Sequence, residues 1–382
     1  MAPEVVVIGG GVVGSSAAYA LARAGMHTVL VDAAHPGQAT AAGAGIIAPG
    51  TSLRPLPAFY PFAARAVHAY PGLIAALADD GETNTGYETV GKLFVAMGAD
   101  ENPRLHEAFA LFTARRDEGM PNLGALELVS GDAAREMFPP LARVAEAIYV
   151  PEAARVEGSR LRDSLTAAAR KRGAEVCHGR AQPVIEDGRL QGVQIDGESI
   201  ACDRVVLAGG AWFSELAAGI GLALQVEPQR GQIAHLQIEG VDTSRWPIVG
   251  GFGDQYILTF RPDRVVAGAT RETGSGFDVR QTGGGVQSVL NEALRVAPGL
   301  GTATLREVRI GLRPLSADGL PFLGRAPEVE GVIVATGHGP SGLQLGPYSG
   351  MVAAALAQDQ AVDIDLAPFA VNRGAEVAAS PA

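Results

Sequence analysis

The chain has 382 residues, of which 47% are hydrophobic and 19% charged, which suits a globular enzyme of two domains or one large split domain. Its formal net charge of −11, without any basic block, disfavours nucleic acid and anionic membrane surfaces as partners. The two lysines, Lys92 and Lys171, lie outside any Gly/Ser-rich phosphate-binding context, which disfavours Schiff-base chemistry on pyridoxal phosphate.

The chain begins with a strand, a glycine-rich turn and a helix. Residues 5–14 read Val-Val-Val-Ile-Gly-Gly-Gly-Val-Val-Gly, and Gly9, Gly11 and Gly14 fit the G-x-G-x-x-G pattern. The first glycine allows a tight turn, the second a close approach of backbone to pyrophosphate, and the third close packing of the helix on the strand. A helix predicted over residues 15–25 would direct its N-terminal N–H groups at the phosphates.

A second strand, predicted over residues 28–32, ends on Asp32, 23 residues after Gly9. Its carboxylate is placed to accept hydrogen bonds from the ribose hydroxyls of an adenosine. This context favours a dinucleotide site over an unrelated glycine-rich turn, but the motif does not distinguish FAD from NAD. The N-terminus has neither a positive segment nor a cleavage site, so no signal peptide and a cytoplasmic location are expected.

Small residues fill the next loop, residues 37–49. Such a loop lets backbone pack against a flat cofactor. The alternative, a flexible linker, is disfavoured because Ile46 and Ile47 are apolar.

The middle of the chain alternates helical and strand-like patterns. Helices are predicted at 59–77, 103–118, 159–172 (ended by Gly173) and 285–296. Strands are predicted at 92–97, 174–177, 204–208, 232–237, 256–260 and 264–269, with a hairpin over 183–195 that turns at Asp187-Gly188.

Two further features exclude other classes. The longest apolar stretch, residues 205–226, is interrupted by Gly209, Gly210 and Trp212 and is not expected to span a membrane. Cys177 and Cys202 lie in apolar surroundings at a spacing typical of neither a metal site nor a disulfide framework, so we expect two buried thiols and no metal.

A second glycine loop lies near the C-terminus. A buried strand is predicted at 331–336, a glycine loop at 337–342 and a helix from 341 to about 358. Free N–H groups at this helix N-terminus would stabilise negative charge near N1 and O2 of a reduced flavin, although spacing alone leaves a plain strand-to-helix turn open. The tail, residues 373–382, is expected to be disordered.

These elements predict two interleaved lobes. Residues 1–50, 150–222 and 301–368 are assigned to a nucleotide-binding lobe, and residues 51–149 and 223–300 to a second lobe that covers the substrate.

The order of motifs over nearly the whole chain resembles the D-amino acid oxidase-like family of FAD-dependent amine oxidoreductases. That family includes glycine oxidases, sarcosine oxidases and bacterial D-amino acid dehydrogenases. The stretches that carry the resemblance are residues 5–14, 41–49, 205–212, 228–232, 265–270, 311–314, 318–324, 335–339 and 346–350.

The resemblance implies an α/β FAD-binding Rossmann-type domain (GR2-like), interleaved with an α+β substrate domain on a mixed or antiparallel sheet. It implies FAD rather than NAD, held non-covalently because no cysteine lies near the C-terminal glycine loop, where sarcosine oxidases attach the cofactor. The cofactor-binding positions that it implies are Gly9, Gly11, Val12, Val13, Gly14, Asp32, Ala33, Thr40, Ala41, Ala42, Gly45, Ile46, Gly209, Gly210, Trp212, Arg313, Gly337, His338, Gly339, Pro340, Ser341, Gly342, Leu343 and Gln344.

Three catalytic candidates come from the same resemblance. Arg313, in Gly-Leu-Arg-Pro, is at the position that holds the substrate carboxylate; the alternative is a structural ion pair, for example with Asp318. Tyr256 would orient substrate, or be a half-buried sheet tyrosine. His338 has a positional role beside the flavin rather than that of a general base.

One departure concerns the substrate carboxylate. Glycine oxidases carry a second arginine in the loop after this histidine, where Pro340 and Ser341 stand here. A second carboxylate clamp is therefore not expected, and glycine itself is disfavoured as the preferred substrate.

The expected activity is oxidation of an amine or amino acid by hydride transfer from the α-carbon to flavin N5, giving an imine that hydrolyses. Oxygen or an electron carrier would reoxidise the flavin, and an oligomer is compatible with the sequence. The alternatives are an FAD-dependent 2-hydroxy acid oxidoreductase, a flavoprotein subunit active only with a partner chain, and an NAD(P) dehydrogenase.

Overall fold

The computed structural model describes residues 2–98, 100–222 and 224–373. The described residues form nine α-helices: α1 (Val12–Arg23), α2 (Ala39–Ala42), α3 (Phe59–Asp79), α4 (Asn102–Asp117), α5 (Gly131–Met137), α6 (Gly158–Lys171), α7 (Phe213–Gly219), α8 (Gly283–Val296) and α9 (Gly342–Ala357). Apart from Arg373, the tail predicted to be disordered lies outside the described residues.

The same residues form twenty strands: β1 (Val5–Ile8), β2 (Thr28–Asp32), β3 (Ile46–Ile47), β4 (Glu88–Thr89), β5 (Lys92–Val95), β6 (Glu127–Ser130), β7 (Glu146–Val150), β8 (Ala154–Arg155), β9 (Glu175–His178), β10 (Ala181–Glu186), β11 (Arg189–Ile195), β12 (Glu198–Ala201), β13 (Arg204–Leu207), β14 (Val226–Gln237), β15 (Ile248–Gly251), β16 (Tyr256–Phe260), β17 (Arg264–Gly268), β18 (Thr304–Ser316), β19 (Phe322–Arg325) and β20 (Val332–Thr336).

A six-stranded sheet of order β19-β20-β13-β1-β2-β9 forms the first lobe. The strands from β20 to β9 are parallel, and β19 is antiparallel at the edge. Both faces of β1 are buried, one against helices α1, α3, α6 and α9 and the other against α7 and a three-stranded sheet of order β10-β11-β12. The β1 sequence, a continuous apolar run, is what a strand buried on both faces requires.

An eight-stranded, mainly antiparallel sheet of order β18-β14-β17-β16-β15-β5-β7-β6 forms the second lobe. Strand β18 lies within residues 301–368, which the sequence assigns to the nucleotide-binding lobe, but it pairs along its length with β14 in this sheet. The remaining lobe boundaries stay predictions. The mixed sheets agree with the predicted fold class.

Most predicted elements occur within a few residues of the expected bounds. Helix α1 begins at Val12 because the glycine turn is already complete at Gly11, which caps it. The hairpin turns at Asp187 and Gly188, both with positive φ (48° and 73°), as a two-residue turn requires. Gly173, with φ of 96°, follows the end of α6.

Several strands were missed by the sequence analysis, including the edge strands β6, β12 and β18. Their side chains do not alternate cleanly: β6 and β12 are largely exposed, and the first half of β18 faces solvent. Edge strands of this kind lack the apolar period on which strand prediction depends.

A buried arginine links two of the sheets. Arg155 on β8 is completely buried, ion-pairs with Glu88 at 2.5 Å and donates to the Thr259 hydroxyl at 2.9 Å and to its carbonyl oxygen. Because Thr259 lies on β16, this contact holds the three-stranded sheet β3-β8-β4 against the eight-stranded sheet.

The two cysteines have different surroundings. Cys202 is buried, as expected, whereas Cys177 is only half-buried. Burial raises the pKa of Cys202 to about 11, so its thiol stays protonated at neutral pH. No helix among the described residues has the length and apolar character needed to cross a membrane.

Candidate active site

A cavity of about 420 Å³ is lined by the carboxyl ends of the first-lobe strands and by one face of the second-lobe sheet. At one end lie the glycine turn after β1 and the end of β2. At the other end lie strands β14, β16 and β18 and the loop that leads into α9. This is the edge at which open α/β sheets bind nucleotides.

The glycine turn lines the cavity and leaves no room for side chains at Gly9 and Gly10. A Cβ on Gly9, which has a φ of 107°, would lie 2.3 Å from the Ala208 carbonyl oxygen, and one on Gly10 would lie 2.8 Å from the Asp32 carboxylate. The Val12 N–H donates to Thr40 Oγ1 at 3.0 Å, which ties the start of α1 to the small-residue loop.

Asp32 closes this end of the cavity. Its carboxylate accepts from the Ala34 N–H at 3.2 Å and from Gln38 Nε2 at 3.0 Å. Beside it, the His35 and Trp212 rings stack at 4.6 Å with an interplanar angle of 13°. His35 was not singled out in the sequence, because a histidine in a loop carries no periodic signal.

Most of the predicted cofactor-binding residues line this cavity, but Gly14, Ala41 and Gly337 do not. Gly14 lies beneath the turn, where a Cβ would be 1.8 Å from the Gly9 carbonyl oxygen; it has the packing role that the motif predicts. Ala41 faces the second lobe, and its carbonyl accepts from Arg309 at 3.4 Å. Gly337 has a φ of 76° and packs against Phe322.

Two long side chains lie flat on the second-lobe sheet because glycines stand beneath them. A Cβ on Gly231 would lie 2.6 Å from Arg313 Nη2, and a Cβ on Gly268 would lie 2.7 Å from the Tyr256 hydroxyl. The sheet pairs Tyr256 with Gly268 and Gly231 with Gly311. The glycines therefore let the Arg313 guanidinium and the Tyr256 hydroxyl lie close against the sheet where it faces the cavity.

Only one of the three guanidinium nitrogens of Arg313 donates a hydrogen bond to the residues that the structure describes. Its Nη1 donates to the Thr270 carbonyl at 2.9 Å and to Gln229 Oε1 at 3.4 Å, while Nε and Nη2 have no acceptor among the described residues. The alternative pairing with Asp318 is wrong, because Asp318 pairs with Arg373 at 2.8 Å. Burial lowers the pKa of Arg313, but a guanidinium stays charged in proteins.

Tyr256 and His338 are both uncharged near neutral pH. Burial raises the pKa of Tyr256 to about 12 and lowers that of His338 to about 4. His338 Nε2 lies 2.8 Å from Ser349 Oγ, which itself donates to the Leu345 carbonyl. Ser349 Oγ therefore accepts from Nε2–H, which assigns the proton of the neutral imidazole to Nε2.

We expect the H338Q variant to keep the acid-side apparent pKa of kcat/KM that the wild type shows with the same substrate. A histidine with a pKa of about 4 is neutral throughout the range from pH 6 to 9 and contributes no ionisation there. The measurement is a pH profile of both proteins. Disappearance of an ionisation near pH 6 to 7 in the variant would contradict this assignment.

Sequence reasoning missed four charged residues at the second-lobe end of the cavity. Lys92 donates to Thr51 Oγ1 at 2.7 Å, and burial lowers its pKa to about 8. Arg271 pairs with Asp254 at 2.7 Å. Arg54, from the loop before α3, donates to Ser341 Oγ at 2.5 Å. Of these four, the sequence analysis considered only Lys92, as one of the two lysines in the chain, and did not place it in the site.

A second guanidinium nevertheless lies at this end of the cavity, while the expectation that the site has no second carboxylate clamp stays a prediction. Ser341 does stand at the position expected to lack an arginine, but Arg54 reaches it from 287 positions earlier in the chain. Such a long-range contact leaves no signal in local sequence.

Comparison with known proteins identifies the relatives of this chain. The profile of the DAO family, described as FAD dependent oxidoreductase, matches residues 4–356. An uncharacterized oxidoreductase of Bacillus subtilis (strain 168), YurR, is 40% identical over 365 residues, which are 95% of this chain and 97% of that protein.

Two crystal structures share both the fold and more than a quarter of the aligned residues. Iminodiacetate oxidase (IdaA) from Chelativorans sp. BNC1 superposes with a TM-score of 0.92 and 38% identity, covering 96% of this chain and 98% of the other. Glycine oxidase from Geobacillus kaustophilus gives a TM-score of 0.86 and 28% identity, covering 97% and 98%.

Proposed function

Since the chain belongs to the DAO family of FAD-dependent oxidoreductases, we propose that it oxidises the CH–NH group of a small amine that carries a carboxylate. The observation that supports this substrate class is Arg313, a half-buried guanidinium with unused donors in the cavity. The relatives named glycine oxidase and iminodiacetate oxidase support the same class.

The residues at the first-lobe end fit FAD. The side-chain-free backbone at Gly9 and Gly11 suits a pyrophosphate, and the Asp32 carboxylate suits the ribose hydroxyls of the adenosine. We assign the isoalloxazine to the other end, between the sheet face at Gly231 and the start of α9. No cysteine lines the cavity among the described residues, which supports non-covalent binding. When bound, FAD supplies the two-electron acceptor.

In this proposal, the side chains of Arg313 and Tyr256 bind the substrate. The Nε–H and Nη2–H groups of Arg313 bind a carboxylate through two parallel charge-assisted hydrogen bonds. The protonated Tyr256 hydroxyl donates a further hydrogen bond. These contacts fix the orientation of the α-carbon, and orientation is the main contribution of a protein to such chemistry. Because burial lowers the pKa of His338 to about 4, this histidine is too weak a base to take the proton of an ammonium group, so the amine enters as the free base.

Anaerobic reduction of the purified holoenzyme tests this function. D- and L-amino acids, N-methyl amino acids, prolines, iminodiacetate and 2-hydroxy acids are added in turn, and bleaching of the visible flavin spectrum is followed. We expect bleaching by one or more of the amines, and return of the colour in air if oxygen is the acceptor. Bleaching by 2-hydroxy acids alone, or by none of these compounds, would overturn the proposal.

A further inference from the structure

We propose that Arg54 binds a second carboxylate of the substrate, so that the site prefers a dicarboxylic amine to a simple amino acid. The proposal rests on the proposed function, in which Arg313 binds the first carboxylate. It adds a second anion site, on a different element and from a distant part of the sequence.

Arg54 lines the cavity with most of its hydrogen-bonding capacity unused. Its Nη1 donates to Ser341 Oγ at 2.5 Å, and its guanidinium lies 5.3 Å from the centre of the Phe59 ring. Its Nε and Nη2 groups have no acceptor, and no carboxylate lies within 4.0 Å of it, among the residues that the structure describes. These are the same donors that Arg313 leaves free, and they suit a bidentate carboxylate.

The backbone that carries Arg54 is fixed by hydrogen bonds. The Tyr60 hydroxyl donates to the Arg54 carbonyl at 2.8 Å and to the Ser52 carbonyl at 3.1 Å. Arg115 donates to the carbonyls of Gly50 and Ser52 at 2.9 and 2.5 Å. An arginine on a segment held in this way loses less conformational freedom on binding an anion than one on a free surface loop.

The charge balance at this end of the cavity also favours a dianion. Of the charged residues that the structure describes here, Arg54, Lys92, Arg271 and Arg313 face this end with a single carboxylate, Asp254, which already pairs with Arg271 at 2.7 Å. Cations partly removed from water are unfavourable unless they are paired. One substrate carboxylate would satisfy Arg313 and leave Arg54 unpaired, whereas two would satisfy both.

Binding of two unreactive anions to the holoenzyme tests the second site. Diglycolate has two carboxylates about an ether oxygen, and methoxyacetate keeps the ether and one carboxylate. We expect the wild type to bind diglycolate at least about 10-fold more tightly, by calorimetry and by the change in the flavin spectrum. In R54M this preference should fall to less than about 3-fold.

A matched control is R65M, which removes an exposed arginine that pairs with Asp363 outside the cavity. It should keep the wild-type preference for diglycolate. An unchanged preference in R54M, or an equal loss of preference in R65M, would overturn the second carboxylate site.

The outcome separates this inference from the proposed function. If amines bleach the flavin but the two anions bind equally well, the function stands and the second carboxylate site is wrong. If the preference for diglycolate depends on Arg54 while no amine bleaches the flavin, the dicarboxylate site stands and the proposed reaction is wrong.

Discussion

The R313M variant should keep its flavin and lose about 100- to 1,000-fold in kcat/KM for the best amine substrate. Methionine preserves much of the apolar bulk but removes the donors at Nε and Nη2 that are free to bind a carboxylate. The glycine turn that we assign to the ADP half of FAD lies in the other lobe and is untouched. The measurements are the visible spectrum and steady-state kinetics.

A second variant tests the same role without removing the arginine. In G231A the new Cβ would lie 2.6 Å from the Arg313 guanidinium, which is the movable end of a flexible side chain, so the fold should survive while the guanidinium shifts. The matched control is G250A, on the same sheet, where the new Cβ makes an ordinary 3.5 Å contact with Lys92. Wild-type kcat/KM in both R313M and G231A would remove Arg313 from substrate binding.

The nucleotide end of this site could be predicted because its determinants are local. The spacing of Gly9, Gly11 and Gly14, an apolar strand before them and Asp32 at the end of the next strand all fall within 32 residues. Each of these positions has a backbone requirement that only certain residue types meet. At position 14, for example, any Cβ would lie 1.8 Å from the Gly9 carbonyl oxygen, so only glycine fits. The motif alone left the choice of cofactor open, and the family membership settles it as FAD.

The substrate end could not be predicted in the same way. Strand β18 carries Arg313, but its first residues are exposed and lack an apolar period, so the strand was not recognised and its segment was assigned to the other lobe. Arg54 lies in an irregular loop and meets Ser341 only through the tertiary fold. Long-range contacts of this kind depend on how two lobes assemble, and a single sequence does not encode them in any local pattern.

The two glycines of the nucleotide turn should respond differently to alanine. In G14A the Cβ meets backbone at 1.8 Å, which cannot move aside, so we expect a loss of about 3 kcal/mol or more in the free energy of unfolding. In G11A the nearest atom is Thr40 Oγ1 at 3.3 Å, so the protein should fold normally but bind FAD about 100-fold more weakly, because the Cβ blocks the approach of the pyrophosphate.

Melting temperature measured over a range of FAD concentrations separates the two effects, because a ligand stabilises the folded state by mass action. G11A should reach the wild-type melting temperature at about 100-fold higher FAD. G14A should stay below it at every concentration. The control is G72A, at an exposed position inside α3 with nothing near its Cβ, which should gain about 1 kcal/mol in stability. If the melting temperature of G11A, like that of G14A, stayed below the wild-type value at every FAD concentration, Gly11 would be required for the fold rather than for the approach of the cofactor.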